Sequence, residues 1–356
     1  MNTRIGITLL GLLTLLSACD KTDRSFSILS ENDSFKQSAT YTPRKLDVLW
    51  IIDNSGSMST SQSKLTSNFS SFISRFKQKQ YDFNMAVNGT DAWQGLFVFD
   101  PDQSANKLLR DGADCEKGNT VVHTHSQQFV LNNETVDIQN VFIQNATLSI
   151  CGTGNERALQ SIEATLDEVK NEGFRRPGAY LAIIIVADED DLSSILKDKV
   201  TDGDYADPNL IPVDHYVKYL NGLMGKGNYS VSTIAIDTPE CKAEKETDGF
   251  IRSIGTRMFE LAELTGGVKA SLCSDFGTTL NLISDTIAKV TSQFLLEREP
   301  LISTIKAVVN GVVIANDAVN GWTYNPQTKI LTFNGSSMPN EGDQVAITYD
   351  PVSGKN

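Results

Sequence analysis

Apolar residues run almost unbroken through Leu46–Ile52 (LDVLWII) and Ala179–Ala187 (AYLAIIIVA). Each run is too short for an ordinary helix and lacks the alternation of a strand with one wet face. Both are read as strands buried on two faces. Elsewhere the period changes. Leu65, Phe69, Phe72, Ile73 and Phe76 fall on one helical stripe, and Leu159, Ile162, Leu166 and Val169 on another. Further strands are predicted at YDFNMAV, GLFVF, YSVSTIAI and GVKASLC. Further helices are predicted near 213–225, over TRMFELAELT before two glycines, and over DFGTTLNLISDTIAKVTSQFLL. Strands alternating with helices predict an α/β fold, a doubly wound and mainly parallel sheet with helices on both faces.

The alternation stops in three places. Residues 19–44 are polar and read as a tether. Residues near 100–150 are irregular, an insertion with short β-like pieces such as TVDIQNVFI. From Pro300 onward no helical stripe appears. VVNGVVI and TFNGSS carry Asn-Gly pairs, a strong hairpin signal, and QVAITYDP alternates. Residues 300–356 therefore read as a small all-β module following an α/β domain at 45–297.

Charge narrows the partners. The sequence has 44 acidic against 31 Lys and Arg side chains, a formal charge of −13. Such a surface repels phosphate backbones, so nucleic acid is not an expected partner. At the N-terminus Arg4 precedes Ile5–Leu16, an apolar stretch too short to span a bilayer. Leu16-Ser17-Ala18-Cys19 resembles the lipobox of bacterial lipoproteins. That resemblance implies a signal peptide over 1–18, lipid on Cys19 and anchoring to the inner or outer membrane of a bacterial envelope. Four cysteines remain, Cys115, Cys151, Cys241 and Cys273. An even number in an exported chain predicts two disulfides. Three pairings can be drawn, and chain order favours Cys115–Cys151 with Cys241–Cys273.

The candidate chemistry sits where strands end. In doubly wound sheets ligands bind off the carboxyl ends of the strands, where strand order reverses. The first apolar run ends in DNSGS, which places Asp53, Ser55 and Ser57 in one turn. The second ends in Asp188, and CGTGNERAL puts Thr153 in a glycine-flanked loop before a helix. These are hard oxygen donors, suited to a divalent cation, Mg²⁺ first and Mn²⁺ or Ca²⁺ as alternatives.

In this set and order, the five residues resemble the metal-ion-dependent adhesion site of the von Willebrand factor type A (VWA) domain. Asp53, Ser55 and Ser57 match its first motif, Thr153 its second and Asp188 its third. The resemblance spans roughly residues 45–297. It implies direct coordination by Ser55, Ser57 and Thr153, with aspartates acting through water. A cation held mostly by neutral hydroxyls keeps charge to grip an Asp or Glu of a protein partner. The run departs from the usual motif after Asp188. Glu189, Asp190 and Asp191 follow, either as a second acidic site or as carboxylates serving helix N-termini.

The expected function is partner binding by an envelope lipoprotein, not catalysis. No Ser-His-Asp arrangement and no positioned general base is identifiable. Two alternatives stand beside it. One is an envelope scaffold subunit with a structural metal, and the other is a metal-dependent hydrolase.

Overall fold

The computed structural model describes residues 35–40, 45–79, 81–93, 128–148, 152, 154–167, 171, 173–196, 205–327, 329–340 and 342–352. Its elements begin with β1 (Phe35–Thr40), β2 (Leu46–Ile52), α1 (Ser59–Lys79), β3 (Phe83–Gly89), β4 (Leu131–Asn132), α2 (Ile138–Ala146) and α3 (Ala158–Asp167). There follow β5 (Tyr180–Val186), α4 (Val213–Met224), β6 (Tyr229–Ala235), α5 (Pro239–Lys245), α6 (Thr256–Thr265), β7 (Lys269–Ser271) and α7 (Phe276–Thr291). The chain ends through β8 (Gln293–Leu295), β9 (Lys306–Val309), β10 (Val312–Ile314), β11 (Trp322–Asn325), β12 (Ile330–Phe333) and β13 (Gln344–Tyr349).

The central sheet has six strands in the order β4-β3-β2-β5-β6-β7. All neighbours are parallel except the short edge strand β4. Strand β2 shows why its sequence lacks polar alternation. Leu46, Val48, Trp50 and Ile52 join the core under α1, α2 and α7, while Leu49 and Ile51 join the core under α3, α4 and α6. A pleated strand sends successive side chains to opposite faces, and here both faces are covered. On the first face Trp50 meets Phe72 and Phe142 edge-on, with centroids 5.1 and 5.3 Å apart. Strand order reverses between β2 and β5, so the carboxyl ends of these two strands form the switch point.

Among the described residues two antiparallel sheets accompany the central sheet, β11-β12-β8 and β1-β13-β9-β10. Their buried residues, among them Phe333, Ile347 and Tyr349, belong to the same core cluster as α1 and α7. The hairpin expected at Asn310-Gly311 joins β9 to β10, with φ of 49° and 83° at its two central residues.

Several elements differ from the sequence pattern. Residues 35–40, read as tether, form β1 and pair in register with β13, Phe35 opposite Tyr349 and Thr40 opposite Gln344. That ladder joins segments more than 300 residues apart, which no local pattern can show. The β-like piece TVDIQNVFI lies largely in α2, because Ile138, Phe142 and Ala146 fall one helical turn apart and are all buried. The tail of the predicted closing helix leaves it as β8, which pairs with β12 and belongs to the module sheets. Asn334-Gly335 turns no hairpin. Gly335 opens a 3₁₀ turn so close to Val319 that an added Cβ would lie 2.1 Å from its carbonyl oxygen. The GLFVF strand lies outside the described residues.

Candidate metal centre

Strand β2 delivers Asp53 to the switch point, where its backbone N–H donates to Val186 O of β5 at 2.8 Å. Asp53 Oδ1 accepts from the Ser55 N–H at 2.7 Å, the local turn that short carboxylates favour. This bond bends the chain into the 3₁₀ turn Gly56–Met58 and on into α1. Ser55 Oγ and Ser57 Oγ lie 2.9 Å apart, and Ser57 Oγ donates to Asp188 Oδ1 at 2.9 Å. Gln62 from the first turn of α1 donates to Asp53 O at 2.9 Å and fixes the loop from below.

A third loop closes the site. The Gly152 N–H donates to Asn54 O at 2.7 Å, and a Cβ at Gly152 would lie 2.7 Å from that same oxygen. Glu156 follows on this loop, where its own carbonyl accepts from the Leu192 N–H at 2.8 Å. The carboxylates of Asp53, Glu156 and Asp188 offer oxygens that all lie within 4.8 Å of one another, each group almost wholly buried.

Three buried carboxylates so close repel one another. Burial, with the Asp188 charge as the next cause, pushes Asp53 up to about 7. Burial, then the Asp53 charge, pushes Glu156 well above the usual carboxylate range. Among the described residues no donor reaches Asp53 Oδ2 or either Glu156 carboxylate oxygen, and the two carboxyl groups are near enough to share a proton. Buried acceptors left without donors are costly, and a cation would meet all of them. The residues present therefore fit a metal. Asp53, Glu156 and Asp188 can hold one, with Ser55 and Ser57 beside them.

Asp188 has a second partner. The Arg252 guanidinium, buried on the loop before α6, donates from Nε to Asp188 Oδ2 at 2.5 Å. It also reaches Ser57 O at 3.1 Å, Lys245 O at 2.5 Å and both Asp248 oxygens at 2.7 Å. Glu156 and Arg252 are the two members of the centre that sequence patterns did not bring forward. Glu156 had one signal, a carboxylate two residues ahead of a helix in the same loop as Thr153. Arg252 had none, since it enters from 64 residues beyond Asp188.

The carboxylates of Asp190 and Asp191 are taken up by helix amides and by Arg257. Asp190 accepts from the N–H groups of Arg257 and Met258 in the first turn of α6, at 3.0 and 3.4 Å. Asp191 accepts from the Leu159 N–H of α3 at 2.9 Å and from the Arg257 guanidinium at 3.3 Å. Ser193 Oγ takes the next amide, Gln160 N–H, at 2.9 Å. The first amides of an α-helix lack internal partners, and this acidic loop supplies acceptors to two helices at once. Glu189, partly exposed, stands nearer the metal centre and raises Glu156 further.

Cys241 and Cys273 are bonded, with Cα atoms 5.7 Å apart. Thr153, Cys19, Cys115 and Cys151 lie outside the described residues.

No protein-family model and no curated protein sequence matches the chain. Solved structures with similar coordinates include the pilus adhesin SpaC from Lactobacillus rhamnosus GG, with TM-score 0.42 and 11% identity over 87% of this chain and 39% of that one. Proximal thread matrix protein 1 from the mussel byssus, with a zinc-occupied MIDAS motif, gives TM-score 0.40 and 11% identity over 74% and 52%. The pilus adhesin RrgA from Streptococcus pneumoniae gives TM-score 0.32 and 12% identity over 90% and 59%. The chain thus spans about two fifths to three fifths of those chains.

Proposed function

We propose that this chain is an envelope lipoprotein that grips a protein partner through a divalent cation, in the manner of a VWA adhesion site. The observation that carries the reading is the set of buried oxygens on Asp53 and Glu156 that no donor among the described residues meets, gathered with Asp188, Ser55 and Ser57 at the switch point. Thr153 completes the ligand set by its motif. Hard oxygen donors favour Mg²⁺, with Mn²⁺ or Ca²⁺ as substitutes. Bound there, the ion supplies an electrophilic centre for an Asp or Glu side chain of the partner. The protein's own residues hold and orient, without turnover.

Export and anchoring rest on the apolar leader and Leu16-Ser17-Ala18-Cys19. The Cys241–Cys273 disulfide supports an oxidising compartment. Among the described residues no helix is long and apolar enough to cross a bilayer. Lipid on Cys19 is the proposed attachment.

The deciding experiment is affinity capture from whole envelopes with the wild type and with Asp53→Ala, with and without chelator. Capture that needs both Asp53 and free divalent ion supports the reading, and capture unchanged in excess chelator overturns it. The near-complete burial of Asp53, Glu156 and Asp188 favours a second reading, an ion that braces the fold of a scaffold subunit. That reading requires a large loss of melting temperature on chelation and a partner that stays bound.

A further inference from the structure

We propose that Arg252 sets the charge of the ion this centre accepts. The inference rests on the cation reading above and goes beyond it, because Arg252 belongs to none of the sequence motifs. Asp53, Glu156 and Asp188 bring three carboxylates within 4.8 Å of one another. Three negative charges in so small and dry a volume would favour a trivalent ion over a divalent one. Arg252 changes that sum. Its guanidinium has 2% of its side-chain surface exposed and sits 2.5 Å from Asp188 Oδ2, inside the same low-dielectric region. With the three carboxylates ionised around a bound cation, the buried guanidinium offsets one of their charges and tilts the site from a trivalent toward a divalent ion, Glu189 adding only a partly exposed, screened charge.

The other charged groups around Arg252 offset it only in part. Asp248 grips the guanidinium with both oxygens at 2.7 Å and is its strongest partner, but it is 47% exposed, so its charge acts on the buried centre more weakly than that of Arg252. Glu246 accepts from the Arg252 backbone N–H at 2.9 Å, also toward the surface. The Lys245 side chain adds a further positive charge near Asp188 and Arg252. Arg252 itself is held in place by Ser57 O and Lys245 O. Its position is therefore fixed by the first-motif turn on one side and by the end of α5 on the other. A fixed guanidinium also leaves Asp188 Oδ1 turned to Ser57, on the side of the hydroxyls.

Calorimetric titration of the folded chain with Mn²⁺ and with Tb³⁺ tests this. Arg252→Gln should raise the preference for Tb³⁺ over Mn²⁺ by about tenfold or more, as expected for one unit charge removed at short range. Arg252→Lys should keep the wild-type ratio. Arg252→Gln leaves Asp188 buried without its partner, so the same change is also measured on an Asp188→Asn background, where no such carboxylate remains. There too the Tb³⁺ preference should rise by about tenfold. An unchanged ratio in both backgrounds overturns the role of Arg252 and leaves the cation reading standing. A wild type that binds neither ion overturns both.

Discussion

Ser57 Oγ donates to Asp188 Oδ1 at 2.9 Å, a bond between residues 131 positions apart. It ties the turn after β2 to the loop after β5 across the switch point. The hydroxyl and carboxylate are thereby placed for each other, with carboxylate oxygens of Asp53, Glu156 and Asp188 within 4.8 Å of one another beside them.

Glu156 is the member of the centre with most to gain from an ion. Burial holds Glu156 protonated well above the usual carboxylate range, so folding at neutral pH takes up a proton that Glu156→Gln does not need. In chelator the variant should be more stable than the wild type, by about 1–2 kcal/mol or several degrees in melting temperature. In Mg²⁺ or Mn²⁺ the order should reverse, because the variant loses a ligand. Differential scanning fluorimetry with and without ion checks both halves, and an equal ion-induced rise in the two proteins would remove Glu156 from the site.

The metal-free protein should lose stability as pH rises from about 5 to 8. Asp53 is raised to about 7 against roughly 4 in the unfolded chain. The folded state thus holds a proton that the unfolded state has released. The stabilisation is fully present below pH 4 and is lost as pH rises through 7. Asp190, also pushed up to about 7 by burial, acts in the same direction. Asp53→Asn isolates the first group. In chelator its advantage over wild type should grow by roughly 2–4 kcal/mol between pH 5 and pH 8 in urea denaturation. A constant difference across that range would contradict the raised Asp53.

Gly152 brings the third loop against Asn54 with no room for a side chain. Gly152→Ala forces that loop away from the first motif at a cost of about 1–3 kcal/mol. Mn²⁺ affinity should fall by tenfold or more, while the far edge of the sheet keeps its protection in hydrogen exchange. An unaltered affinity would mean that the contact does not position the site.

Asp191 is read as a helix anchor and not as a metal ligand. Asp191→Ala leaves the α3 amide of Leu159 unpaired and Arg257 short of a partner. Stability should drop by about 2–4 kcal/mol, with Mn²⁺ affinity within twofold of wild type. A large affinity loss at unchanged stability would return Asp191 to the list of candidate ligands.

Much of this molecule could be read before its coordinates. The central strands and their helices follow from periodicity because burial on two faces leaves a plain apolar signature, as in β2 and β5. The first-motif turn was legible because Asp53, Ser55 and Ser57 lie within five residues. What stayed hidden was long-range. Strand β1 owes its existence to β13, Glu156 gains meaning only beside Asp53 and Asp188, and Arg252 arrives from another loop altogether. The two carboxylates after Glu189 stayed open between ligands and helix caps because composition cannot show which amides they face. Helix α2 misled for a different reason, since Ile138, Val141, Phe142 and Ile143 suit either a strand or a short buried helix.

The pairing of β1 with β13 and the short link from Thr40 to β2 have a mechanical consequence. A pull applied at an attachment upstream of Phe35 would reach the central sheet through β1 and the link from Thr40, entering β2 at Leu46, the opposite end of that strand from Asp53. Force between that attachment and anything gripped at the ion would run lengthwise through β2, about 23 Å of extended chain. Strands β3 and β5 flank it along all seven residues. Their ladders would be loaded in shear, many rungs sharing the tension together instead of opening one after another like a zip.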